Sequence, residues 1–349
     1  MHTWWTGLAE APPDEAQALH ALGLGFMAAR TLHVALELRL FTHLAAGAQT
    51  LTQVAQALGL AERAAGRLLY ACAALGLVQA TGNVFRNTPL TQKYLVEGRP
   101  TFIGSDLHMF DALGYHRWEQ MSAALRHNGP VDELRHPYIH LSEDAEAARL
   151  FSAAQHAGSR SLGYALARRV DFTPFTCLLD LGGGSGAYTV EILRRYPHLR
   201  AIILDVPQVS RLAEEVIRQE GLAERVRTVA GDYEHDPLPP GPDVVLWSGN
   251  LHASSPESCR RVLTRLRALL PPAGMVLIHD YLLDDTHTGP LIPALLALHL
   301  TLVSAHGQVY SGAELCALLA QARFEEVRIE PFLPGHSSLV SARPGAGTA

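Results

Sequence analysis

From Phe175 onward the chain alternates short, β-rich apolar runs with segments whose apolar residues recur every three or four positions. The runs are CLLDLG, AIILDV, VRTVAGD, DVVLWSG and MVLIHDYLL, and ESCRRVLTRLRALL is typical of the amphipathic stretches between them. Apolar runs joined by helices predict a parallel sheet wound on both faces. EEVRIEPF and SSLVSAR predict a terminal antiparallel pair. Upstream, apolar residues from Ala16 to Leu44 keep helical spacing but leave no polar face, so something must cover them. LTQVAQALGL, AERAAGRLLYACAALGLV and VQATGNVFRNTPLTQKYLV then read as helix, turn, helix and a two-stranded wing with its tip at Thr81-Gly82-Asn83. The division expected is 1–103 for a helical, winged-helix module, 104–170 for connecting helices, and 171–349 for the α/β domain.

Composition narrows this picture. With 349 residues, 48% hydrophobic and 18% charged, the chain can bury two cores. Its start lacks the basic residues and cleavage site of a signal peptide, and no apolar run reaches membrane-spanning length, which leads to the expectation of a cytoplasmic protein without a membrane partner. A net charge of −6 argues against a nucleic-acid partner. The second helix of the winged module agrees, because it offers only Arg63 and Arg67 where a reading helix needs polar and basic side chains. A dimerisation module, and so a homodimer, is the expectation. Cys72, Cys177, Cys259 and Cys316 lie far apart and read as buried free thiols.

The chemistry centres on DLGGGSG, a glycine cluster in the first strand-to-helix turn, where open parallel sheets bind nucleotides. A nicotinamide cofactor fits poorly. The frame that starts at Gly184 and Gly186 puts Thr189 where a third small residue is needed, and Asp180 would repel a pyrophosphate. S-adenosylmethionine has an ammonium, a sulfonium and a ribose diol but no phosphate, and suits an acidic loop. Asp205 ends the next strand, where a carboxylate can take both ribose hydroxyls, and Asp232 ends the third, within reach of an adenine amine. The cofactor set expected is Asp180, Gly182, Gly184, Asp205, Val206, Asp232, Tyr233 and Ser248.

Taken along its length, the chain resembles the class I S-adenosylmethionine-dependent O-methyltransferases with an N-terminal dimerisation domain, the group of caffeic-acid, hydroxyindole and bacterial antibiotic-pathway enzymes. The resemblance implies a Rossmann-like domain with a seven-stranded, mostly parallel sheet behind an all-α winged-helix domain, and glycines that bring backbone to the methionine part of the cofactor. The product would be S-adenosylhomocysteine and the substrate a small, hydroxylated aromatic metabolite.

His252 follows the fourth strand at its carboxyl end, where an imidazole can take a phenol proton near neutral pH. The family has its catalytic base at this position within His-Asp-Trp, and here the triplet is His-Ala-Ser. The resemblance puts one orienting acid on Asp280 and loses the other to Val309, with Tyr310 able to supply a hydroxyl instead. The substrate-facing set expected is Met109, Phe110, Tyr115, His156, His299, His306 and Tyr310, with His116 and Trp118 in the same aromatic stretch. The alternatives are carbon methylation, with no metal or with a divalent metal at His252 and His306 that chelates a 2-oxo acid, a non-methylating family member, and a DNA-binding cofactor sensor.

Overall fold

The computed structural model describes residues 15–47, 49–99, 101–104, 107, 115–131 and 145–346, and divides into two compact units, Met1–Ala112 and Leu113–Ala349. In the first unit the apolar stretch expected from Ala16 to Leu44 forms three helices, Glu15–Gly23, Gly25–Glu37 and Leu40–Leu44. The last break falls at Arg39, which holds a left-handed φ of 55°. Thr50 and Gln53 close a reciprocal capping box that starts helix Leu51–Leu58, and Gly59 ends it at φ 66°. Helix Glu62–Ala74 and the hairpin of β2 (Val78–Thr81) and β3 (Val84–Asn87) complete the winged module. The wing gains a third strand, β1 (Gln49–Thr50), paired antiparallel with β3. Phe41, Leu44, Val54, Leu69, Cys72 and Phe85 meet in its core.

The second unit is built on a seven-stranded sheet. Its strands are β4 (Cys177–Leu181), β5 (Arg200–Asp205), β6 (Val226–Ala230), β7 (Val244–Ser248), β8 (Met275–Asp280), β9 (Phe324–Leu333) and β10 (Ser337–Pro344), in the order β6-β5-β4-β7-β8-β10-β9. The first five in that order run parallel, while β10 runs antiparallel to both β8 and β9. The strand order reverses direction at β4, so a crevice opens beyond its carboxyl end.

Period-two alternation along the strands feeds two cores. Leu179, Val245, Trp247 and Ile278 face helices Pro256–Leu269 and Gly312–Gln321. Leu178, Val244, Leu246 and Leu277 face helices Ala145–Arg169, Ala187–Arg195 and Pro207–Gln219. On this second side, helix Ala145–Arg169 presses so close to helix Ala187–Arg195 that a Cβ on Gly163 would lie 2.8 Å from the Tyr188 Cα. Arg160 fastens the contact, donating to Glu191 Oε1 through Nη2 at 2.8 Å and to Glu220 Oε1 through Nη1 at 3.2 Å, with Arg194 paired to both acids.

Two of the four thiols, Cys72 and Cys259, are buried as expected, and burial pushes each up to about 12. Cys177 and Cys316 are only partly buried, which corrects the reading of four buried thiols: Cys177 is the first residue of β4, and Cys316 lies mid-helix beside the buried face of Leu315, Leu318 and Leu319 rather than on it. Among the described residues no single helix is long and apolar enough to cross a membrane.

Candidate functional site

The glycine loop runs from the end of β4 to helix Ala187–Arg195, with Asp180 beneath it. Asp180 is fully buried, and its Oδ2 accepts from the Thr189 hydroxyl at 2.7 Å while Oδ1 is sealed without a partner. Burial without full pairing pushes this carboxyl up to about 7. Two glycines are dictated by space: a Cβ on Gly183 would sit 2.6 Å from the Asp180 Cγ, and one on Gly182 2.6 Å from the Asn250 Nδ2. Asn250 spans the loop and β7, donating from Nδ2 to the Gly182 carbonyl at 2.7 Å and the Ser248 carbonyl at 3.1 Å.

Asp205 crowns β5 as expected. Its Oδ2 accepts from the Gly184 N–H and its Oδ1 from the Val206 N–H, both at 2.8 Å, so each oxygen keeps a lone pair for a hydroxyl. Burial raises this carboxyl, against the lowering effect of the two N–H groups. Asp232 lies two residues past the end of β6 rather than on it, and its carboxylate is already held by the His235 Nδ1 at 2.6 Å and the Glu234 N–H at 2.8 Å. Partial burial pushes it up, but those bonds and the His235 charge leave it below the usual carboxylate range. Tyr233 turns inward, edge-on to Trp247 with centroids 5.9 Å apart. His156, expected to face the substrate, instead shares a 2.9 Å hydrogen bond with Ser185 of the glycine loop.

His252 rises in a short 3₁₀ turn, Leu251–Ala253, after β7, and Asp280 closes β8. His252 Nδ1 stands 2.7 Å from Asp280 Oδ1, and the carboxylate also accepts from the backbone N–H groups of Tyr281 at 2.7 Å and His252 at 3.3 Å. A carboxylate only accepts, so Nδ1 carries the proton and Nε2 presents a bare lone pair. Burial lowers the imidazole, but the charge and hydrogen bond of Asp280 outweigh it and leave its pKa raised. Burial likewise raises Asp280, and the His252 charge with the three hydrogen bonds leaves it lowered. The Tyr281 ring meets His252 edge-on at 5.8 Å.

The remaining expected residues scatter. His299 bonds the Trp118 indole at 3.1 Å, and Tyr115 opens the helical turn His116–Trp118. His306 is exposed, and its backbone N–H donates to Ser304 Oγ. Met109 and Phe110 lie outside the described residues. Tyr310 requires a correction: it is buried in the core, its hydroxyl donating to the Ser254 carbonyl at 2.7 Å and approached by Cys259 Sγ at 3.5 Å. Its neighbour Val309 is buried in an apolar cluster with Leu283, Leu300 and Leu302. Among the described residues no group of three or more His, Cys, Asp or Glu is arranged to hold a metal. Asn250, Thr189 and Ser185 were not anticipated. They contribute through contacts with residues distant in the chain or across a turn, for which no spacing rule exists.

Residues 120–325 match the family model of the O-methyltransferase domain. The chain belongs to the O-methyltransferase family. Residues 21–97 match the O-methyltransferase dimerisation domain as well. Among curated relatives of this O-methyltransferase, a 3-hydroxy-5-methyl-1-naphthoate 3-O-methyltransferase of Streptomyces sahachiroi is 35% identical, covering 92% of this chain and 93% of its own. An N,N-dimethyltransferase of Streptomyces rimosus is 32% identical, over 96% and 98%. Among solved structures, human N-acetylserotonin methyltransferase in complex with S-adenosylmethionine superposes with a TM-score of 0.80 at 25% identity, covering 96% of this chain and 99% of its own.

The O-methyltransferase thus uses S-adenosylmethionine, and its loop chemistry fits that group. An acid with an unpartnered buried oxygen lies under the glycines, and a second acid offers two free lone pairs at the neighbouring strand end.

Proposed function

We propose that the enzyme methylates a hydroxyl of a small aromatic metabolite, with His252 as general base oriented by Asp280, and works as a homodimer. The observation that carries this is the His252–Asp280 pair at 2.7 Å, which leaves Nε2 as the only proton acceptor on the ring. The aromatic acceptor is supported by the naphthoate-methylating relative, and the homodimer by the dimerisation-domain match.

When bound, S-adenosylmethionine supplies a methyl carbon on a sulfonium that departs as a neutral thioether. Asp180 and the glycine backbone would hold its amino-acid end, with His156 and Ser185 beside them, and Asp205 would hold the ribose diol. Asp232, Val206, Tyr233 and Ser248 would frame the adenine end. His252 Nε2 takes the proton of the acceptor hydroxyl, leaving an oxygen able to receive the methyl group that the cofactor would supply. The buried Asp280 carboxylate stabilises the imidazolium that results. Alignment supplies the remainder of the barrier reduction.

The test is to incubate the enzyme with methyl-labelled cofactor and a panel of hydroxyarenes, then locate the label by mass spectrometry. Label on oxygen is expected, with His252→Ala slowing turnover about 100-fold or more while cofactor affinity stays within a few-fold. Label on carbon or nitrogen, or full activity in His252→Ala, would overturn the reading.

A further inference from the structure

The indole of Trp118 donates from Nε1 to Nδ1 of His299 at 3.1 Å, and the two rings lie within 15° of parallel with centroids 6.3 Å apart. An indole N–H can only donate, so Nδ1 must present its lone pair. A neutral imidazole then carries its single proton on Nε2. Burial holds His299 below the ordinary histidine value, and the charges of Arg117 and His252 push it the same way, so the ring is neutral near pH 7. Among the described residues nothing accepts from Nε2. His299 belongs to helix Leu291–Val303, which packs into one apolar cluster with Tyr281, and the Tyr281 ring touches that of His252.

Two imidazoles, close enough for the charge of His252 to act on His299, are therefore fixed in opposite states. His252 is held by an acceptor on Nδ1 and offers a lone pair from Nε2, whereas His299 is held by a donor on Nδ1 and offers a proton from Nε2. We infer that Trp118 locks His299 as a hydrogen-bond donor to an accepting oxygen on the substrate, so that the enzyme selects hydroxyarenes bearing a carbonyl, carboxylate or quinone oxygen over those without one. This rests on the hydroxyaromatic reading above. A donor to such an oxygen draws electron density from the ring, which acidifies the hydroxyl that His252 deprotonates. Without that oxygen, the donor loses its partner on binding, a loss that lowers affinity. His299 binds the substrate, and Trp118 acts as its positioning residue.

The test compares 3-hydroxy-1-naphthoate with 2-naphthol, which keeps the hydroxyl and lacks the carboxylate, using the full chain and S-adenosylmethionine. The wild-type enzyme should favour the naphthoate in kcat/KM by roughly tenfold or more. His299→Phe should collapse that ratio toward one, and His299→Gln, which keeps an N–H donor, should restore part of it. Trp118→Phe keeps the stacked ring but loses the N–H, and should lower the ratio several-fold, mainly through KM. In nitrogen NMR, the His299 signals should report a proton on Nε2 in the wild type and a mixture of tautomers in Trp118→Phe. Methylation of both acceptors with a ratio unchanged by His299→Phe, or a tautomer unchanged by Trp118→Phe, overturns this inference alone. Methylation of neither overturns the hydroxyaromatic reading, and this inference with it.

Discussion

Asp280 is sealed from solvent and balanced by one imidazole and two backbone N–H groups, and its effect on His252 can be measured in both directions. The rate should fall on the acid side of a limb lying above the ordinary histidine value of about 6.5, because His252 must be unprotonated to act and its pKa is raised. Asp280→Asn removes the charge that raises it. The limb should then move to lower pH and kcat/KM should drop by about 100-fold, both read from one pH–rate profile.

Linkage gives the matching signs for stability. The raised His252 contributes stabilisation that is full below about 6.5 and lost as pH rises through its folded value. The lowered Asp280 contributes stabilisation that is full above about 3.8 and lost as pH falls through its folded value. Tyr310 has no such part in the chemistry. Tyr310→Phe should cost about 1 kcal/mol, the worth of its hydrogen bond to Ser254, in denaturant unfolding and leave kcat within twofold.

At the scale of elements, the close approach of two helices governs the cofactor loop. The Gly163 Cβ position lies 2.8 Å from backbone, which cannot yield as a side chain would, so Gly163→Ala must push helix Ala145–Arg169 away from helix Ala187–Arg195. Overpacking of this kind costs about 1–3 kcal/mol. Since the second helix begins at the glycine loop, S-adenosylmethionine affinity should fall in calorimetry along with the unfolding midpoint.

The sheet was legible because alternation and strand-end positions obey topology, so Asp205 and His252 lie at the strand ends where the pattern places them, whereas Asp280 as the partner of His252 followed from the family resemblance alone. Other elements were not. Helical spacing from Ala16 to Leu44 does not register the turn at Arg39, a non-glycine residue held left-handed. The two-residue β1 exists only through its pairing with Val84 and Phe85. Tyr310 is near His252 in the fold, but its side chain points into the core, a direction that motif position does not specify. Trp118 and His299 are separated by 181 residues, beyond any local rule.

For the molecule as a whole, the first unit presents Leu19 at 69%, Phe26 at 52% and Met27 at 54% exposure on its first two helices, which overlap the dimerisation-domain match. Large apolar side chains grouped in this way mark an interface. Sedimentation should show a dimer, and Phe26→Glu with Met27→Glu should weaken it or drive aggregation. A well-behaved wild-type monomer would contradict the assembly.

Asp180 has a further consequence for the enzyme in its buffer. A buried carboxyl near 7 is only partly ionised in the empty enzyme, so its contribution to stability is full below about 3.8 and lost as pH rises through about 7. An ammonium arriving above the loop favours the ionised form and expels the remaining proton. Calorimetric titrations of the cofactor at pH 7, run in buffers of different ionisation enthalpy, should therefore give heats that vary with the buffer, and Asp180→Asn should remove the variation. Each turn of catalysis would then be accompanied by a small proton exchange with the medium, given up when the cofactor loads and taken back when the site empties.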